Sequence, residues 1–169
     1  MSAYFGGHYG YSRSSTGKLL TCIEPIRVMA LELIKHVDVK IEYGIRDQIT
    51  QDELYNKGWS QKKWPGSKHN SPNLQVLTNP ETMAENEKSR AVDISPYFGH
   101  LHPKVDWRDN EQSRAKFYVL AGTIMQVIRD LKKAGKLPAD QYVRWGGDWN
   151  MNGDMGDQSF NDLAHWEMG

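Results

Sequence analysis

The sequence predicts an α+β fold, a small antiparallel or mixed sheet with helices packed on one face. Three observations predict it. Residues 37–43 alternate apolar and polar with β-branched side chains, the mark of a half-buried strand. Phe117, Leu120, Ile124, Val127, Ile128 and Leu131 recur at helical spacing. The elements follow one another as loop, helix, strand, long loops, strand, helix, strand, strand, with neither repeats nor strict strand–helix–strand alternation. A chain of 169 residues of ordinary apolar content is expected to be one domain, residues 1–169, able to bury a core without cross-links.

Taken in order, residues 4–16 mix Gly, Ser and Tyr and read as ordered loop. Leu20, Ile23, Ile26, Val28, Leu31, Leu33 and Ile34 then form one amphipathic helix with Pro25 near its first turn. The strand at 37–43 stops at Gly44, so Arg46 sits at a strand end. There it either faces a cleft or pairs on the surface with Asp47 or Asp52. A short helix is expected over 48–57, followed by polar loops through 58–73 and 74–89, long enough to be either functional or disordered. Asp93 lies inside the strand-like run Arg90-Ala91-Val92-Asp93-Ile94, where it faces solvent or, facing inward, needs a cationic partner. His100 and His102 are read as features of a loop over 96–109. Asp109 or Asn110 starts the long helix, which Gly135 and Pro138 stop. Residues 142–145 read as a strand, Gly146-Gly147 as a bend, and 165–168 as a last strand.

Charge and cysteine usage narrow the function. Lys plus Arg (21) equals Asp plus Glu (21), so no global field draws nucleic acid or an anionic membrane, and neither is expected as a partner. No run of apolar residues is long enough to span a bilayer, and no secretory signal is read at the start. Synthesis in a cytoplasm is expected. The lone Cys22 excludes a disulfide framework and cysteine-based zinc sites, leaving any metal to histidines and carboxylates. By itself Asp162-x-x-His165 is most often a surface hydrogen bond or a helical i,i+3 contact, and it reads as a base beside a metal ligand only if partner ligands lie upstream.

Six segments stand in a meaningful order: Tyr11-Ser12-x-x-Ser15, Gly44-Ile45-Arg46, Gly66-Ser67-Lys68-His69, Ser89-Arg90-Ala91-Val92-Asp93, Arg144-Trp145-Gly146-Gly147-Asp148-Trp149 and Asp162-x-x-His165-Trp166-Glu167. In them the chain resembles the phage L-alanyl-D-glutamate endopeptidases, endolysins of the zinc D-Ala-D-Ala carboxypeptidase-like superfamily, from Tyr11 to Met168. The family's usual Ser-x-His-x-x-Gly-x-Ala-x-Asp run is interrupted here, so residues 73–88 read as an insertion between two ligands, and Ser89 replaces the usual Gly.

The resemblance implies a zinc site in a cleft, with His69, Asp93 and His165 as the zinc ligands and Asp162 as general base. It assigns Arg46 to a substrate carboxylate or developing oxyanion and Ser67 to a hydrogen bond with the substrate. Glu167 is either an acceptor for a ligand histidine or a plain strand-face acid, and Trp145 and Trp149 are taken as core and cleft wall. The activity implied is hydrolysis of an amide bond in the peptidoglycan stem peptide, L-Ala–D-Glu, leading to host lysis. A D,D- or L,D-carboxypeptidase and a non-catalytic zinc-stabilised module are the alternatives. A monomer without a separate wall-binding domain is expected, released to the wall through a holin-type partner.

Overall fold

The computed structural model describes residues 9–71, 79–97 and 105–169. The expected His100 and His102 pair and residues 73–78 of the expected insertion lie outside these. Among the described residues four α-helices, α1 (Arg13–Leu20), α2 (Glu24–Leu33), α3 (Gln48–Asn56) and α4 (Glu111–Lys133), accompany four strands, β1 (Val39–Tyr43), β2 (Ala91–Pro96), β3 (Val143–Trp145) and β4 (His165–Met168). The strands form one sheet in the order β1-β2-β4-β3, every neighbouring pair antiparallel. This is the expected α+β architecture with the antiparallel alternative realised.

Two expectations about the first third are corrected. Residues 13–16 belong to a helix, because the Ser12 side chain accepts the Ser15 N–H at 3.2 Å and caps α1. Only Ser15 and Leu19 of α1 are buried, so it shows little apolar periodicity. The single helix expected from Leu20 is two helices. The chain breaks at 21–23, where the Ser89 N–H donates to Thr21 O (2.8 Å) and the Ile23 N–H to Ser89 O (3.0 Å), and Pro25 opens α2. Asn110 caps α4 by accepting the Ser113 N–H at 2.9 Å, and Gly135 ends it with φ of 69°.

Side-chain alternation along β2 and β4 divides the sheet into two working faces. Val92, Ile94, Trp166 and Met168 join the core made with Ile26, Met29 and Leu33 of α2 and Leu120, Ile124 and Val127 of α4. Each large aliphatic chain buried there contributes roughly 1.5–3 kcal/mol against entropy. Asp93, His165 and Glu167 occupy the opposite face. All three are nonetheless buried, because loops rather than helices cover them. The register sets Asp93 directly opposite His165, and a bulge between Ile41 and Tyr43 brings Tyr43 opposite Asp93 as well.

The described part of the expected insertion is anchored rather than loose. Met83 is buried, and the Glu85 carboxylate accepts the Glu24 N–H at the start of α2 and pairs with Arg27 and Lys88, both at 3.4 Å.

Candidate metal centre

Each member of the site is delivered by a different piece of backbone. Asp93 comes from the middle of β2 and His165 from the first residue of β4. His69 lies in the loop after α3, and its carbonyl accepts the Arg46 N–H at 2.8 Å. The pair Asp162 and His165 forms a turn rather than a helical contact, with the His165 N–H donating to Asp162 O at 3.0 Å. Two glycines permit this crowding. A Cβ on Gly146 would stand 2.3 Å from Asp162 O, and one on Gly44 would stand 2.3 Å from Lys18 O.

Three ligand-type atoms converge. His69 Nε2 lies 3.0 Å from Asp93 Oδ1 and 3.1 Å from His165 Nδ1, and His165 Nδ1 lies 3.1 Å from Asp93 Oδ1. Their outer partners fix which nitrogens carry protons. The His69 Nδ1–H donates to Gly44 O at 2.6 Å, and the His165 Nε2–H donates to Glu167 Oε2 at 3.3 Å. In the neutral rings the lone pairs of His69 Nε2 and His165 Nδ1 therefore point at one another and at a carboxylate oxygen. Such a convergence calls for a cation at its centre. Tetrahedral zinc with bonds of about 2.0–2.1 Å separates its ligand atoms by about 3.3–3.4 Å, so the set fits a metal with an expansion of a few tenths of an ångström. His69, Asp93 and His165 are buried and are placed to hold a metal ion.

The electrostatics favour positive charge there. Burial pushes the Asp93 carboxyl up, but His69, the Arg46 guanidinium and a bond from His165 outweigh it, holding the group well below its ordinary range. Burial lowers His69 to about 4, keeping it neutral despite Asp93. For His165 burial acts downward as well, yet Asp93, Glu167 and Asp162 raise it to about 9. Asp162 is raised to about 6, chiefly by burial and then by the Asp93 charge, near the range useful for proton transfer.

The remaining expected residues surround this centre. Arg46 is not on the surface with Asp47 or Asp52. It is buried, paired with Asp93 through the carboxylate's second oxygen, and its guanidinium lies 4.6 Å from the Tyr43 ring centroid. Ser67 Oγ accepts the His69 N–H at 3.2 Å. Arg46, Ser67, His69, Trp149, Asp162 and His165 all line one cleft of about 520 Å³. Trp149 forms part of its wall, 5.2 Å from the His165 ring, while Trp145 is 4% exposed and stacks on Trp166 in the core. Glu167 takes the role of acceptor for the ligand histidine and is itself held by Arg144 at 2.6 Å.

In the sequence Gly44 marked a strand end, Arg144 stood in a resembling segment without a site role, and Gln51 carried no expectation. Arg144 heads the Trp-Gly-Gly-Asp-Trp segment and was visible as part of it. Gln51, 0% exposed, ties α3 to the site loop through Ser60 Oγ (2.8 Å), Lys62 O (2.5 Å) and Asn70, the neighbour of His69. No local signal marks it.

Compared by sequence, the chain matches no protein-family model and no curated protein. Compared by structure, it is similar to the crystal structure of the Serratia marcescens L-Ala D-Glu endopeptidase ChiX, with a TM-score of 0.52 and 16% identity over 94% of this chain and 89% of that one. The two share a fold. A likeness at this identity carries the fold; the chemistry must be argued from the residues themselves.

Proposed function

We propose that the protein is a zinc-dependent peptidase that hydrolyses an amide bond of the peptidoglycan stem, L-Ala–D-Glu, and serves as an endolysin in phage-driven lysis. The observation that carries this reading is the convergence of His69 Nε2, Asp93 Oδ1 and His165 Nδ1 within 3.1 Å beside a carboxyl, Asp162, raised to about 6. A fold shared with an L-Ala D-Glu endopeptidase supports the choice of bond. The six segments that resemble the phage enzymes support the biological setting, including release to the wall by a pore-forming partner. Among the described residues no helix is long and apolar enough to cross a membrane, which is consistent with a need for such a partner.

Zinc held by the three ligands would supply Lewis acidity, polarising the scissile carbonyl and lowering the pKa of water to about 7. The chain's own groups do the rest. Asp162 takes a proton from the attacking water and returns it to the leaving amine, a task suited to a carboxyl that burial raises above its ordinary range. Glu167 keeps the His165 Nε2 protonated and so keeps Nδ1 free for the metal. Arg46 occupies one oxygen of Asp93, leaving the other directed at the histidines. Its charge also bears on the carbonyl oxygen of a substrate entering the cleft it lines.

The test is mass spectrometry of purified peptidoglycan digested with and without a chelator, together with metal analysis of two variants. Asp162→Ala is expected to retain zinc and to lose about 10²- to 10⁴-fold in rate, the usual share of a general acid–base. His69→Ala is expected to lose both zinc and hydrolysis. Full activity in either variant, or newly formed ends other than a carboxyl-terminal L-Ala and an amino-terminal D-Glu, would overturn the assignment.

A further inference from the structure

The cleft carries more positive charge than its metal centre consumes. Four cationic side chains line it, Arg46, Lys62, Lys68 and Arg144, against two carboxylates, Asp162 and Glu167. Arg46 is committed to Asp93, and Glu167 to His165 and Arg144. Lys62 and Lys68 are exposed and form no ion pair among the described residues. Arg144 uses Nε (3.0 Å) and Nη2 (2.6 Å) on a single oxygen of Glu167, while Nη1 has no partner among the described residues. Its guanidinium stands 5.2 Å from the centroid of Trp149, another lining residue.

The backbone beneath the two lysines is pinned. Lys62 O accepts from buried Gln51, and Lys68 O accepts the Arg90 N–H at 3.0 Å. The charges are thus presented from a preorganised rim, which lowers the entropy lost when a ligand is held.

The chemistry of the proposed substrate supplies the counterpart, and in this the inference rests on the peptidase reading. Glutamate has two carboxyl groups. When its nitrogen is in the scissile amide and one carboxyl continues the peptide, the other remains a free carboxylate on the residue that leaves. An anion must then enter a cleft in which Glu167 is already paired and Asp162 is left to the reaction. We propose that Lys62, Lys68 and the outward edge of Arg144 read this free carboxylate and make the enzyme selective for the acid over the amidated peptide. A lysine pair within the cleft lining, rather than on a remote face, favours the peptide over a wall polyanion as the group recognised.

Binding is measured on the zinc-loaded Asp162→Ala chain by calorimetry. The two probes are a synthetic peptide containing L-Ala–D-Glu with its free carboxylate and the same peptide with that carboxyl capped as the carboxamide. The acid is expected to bind more tightly, with an advantage that shrinks as NaCl is raised. Adding Lys62→Gln and Lys68→Gln together should reduce the acid-to-amide affinity ratio about 2- to 30-fold, the range for two exposed ion pairs. Arg144→Gln should reduce the ratio as well, and Arg144→Lys should restore part of it. Equal binding of acid and amide overturns the proposal, and so does a ratio that none of these substitutions moves. Lysine-dependent competition by poly(glycerol phosphate), without lysine dependence for the peptide, also overturns it and reassigns the rim to a polyanion. Lysine-dependent acid selectivity with no cleavage of either peptide by the unsubstituted enzyme would instead remove the peptidase reading and leave the recognition in place.

Discussion

Val92 and Ile94 on one face of β2 and Asp93 on the other are each at most 5% exposed, yet they are held in place by different physics. The aliphatic pair sits among α2 and α4 side chains, where stability scales with area and shape. Asp93 sits among Arg46, His69 and His165, where each group is tolerable only because its partners are present. The core face can therefore absorb a small change locally, while the site face fails as a unit. Three residues in sequence carry both regimes because strand geometry turns successive side chains to opposite faces.

The largest effect on this comparison is expected from Asp93→Asn in the metal-free protein. Removing the carboxylate leaves Arg46 buried without its counter-charge and leaves only Glu167 and Asp162 to support a proton on His165, at a cost of about 3–5 kcal/mol. Urea unfolding in the presence of chelator measures it. A loss no greater than that of the neighbouring Ile94→Val would mean that water, not Asp93, neutralises these cations.

Glu167→Gln probes the same face one layer out. The amide keeps the shape but weakens the acceptor for the His165 Nε2–H and releases Arg144. Zinc affinity, read by competition with a chromophoric chelator, is expected to fall about 10- to 100-fold. Unchanged affinity would return Glu167 to the status of a strand-face acid bound only to Arg144. Ile94→Val, on the core face, removes one methylene from a side chain that is 0% exposed, and about 0.5–1.5 kcal/mol is expected to be lost in urea unfolding. Zinc affinity should stay where it was, and any drop in it would show that the two faces are coupled through β2.

The same division explains what was legible before the structure. Period-two alternation in β1 and helical periodicity in α4 are properties of consecutive residues, and both elements stand where expected. The start of α1 depends on one capping hydroxyl, Ser12, and the break before α2 on a bridge between Cys22 and Ser89, residues far apart in the chain. Neither leaves an apolar period to read. His69, Asp93 and His165 were singled out through motif resemblance, and the fold brings them together. Spacing alone could not have done so, since β2 and β4 meet only through sheet order. Gln51 supports the site by tertiary hydrogen bonds for which a local sequence carries no pattern, whereas Gly44 and Arg144 stood inside the resembling segments and only the fold gave them hydrogen-bonding roles.

The smallest expected effect lies away from both faces and shows how a single buried acid behaves when its partners are close at hand in the chain. Asp106 is 1% exposed and accepts from Arg108 Nε (2.8 Å), Arg108 Nη2 (2.9 Å) and Lys116 Nζ (2.8 Å). The Arg108 bonds, with Lys116, hold its carboxyl well below the ordinary carboxylate range. A carboxyl depressed in the folded state binds fewer protons there than in the unfolded chain, so its stabilisation is complete above the unfolded value of about 3.9 and fades as pH falls toward the folded one. Asp106→Asn should therefore be less stable than the parent at pH 7, by a margin that begins to narrow below about pH 5. Paired urea titrations of the two proteins from pH 7 to pH 3 measure that margin, with all other acids common to both. A margin that holds constant or widens on acidification would show that Asp106 acts through hydrogen-bond geometry and not through its charge, the reverse of what is expected for Asp93.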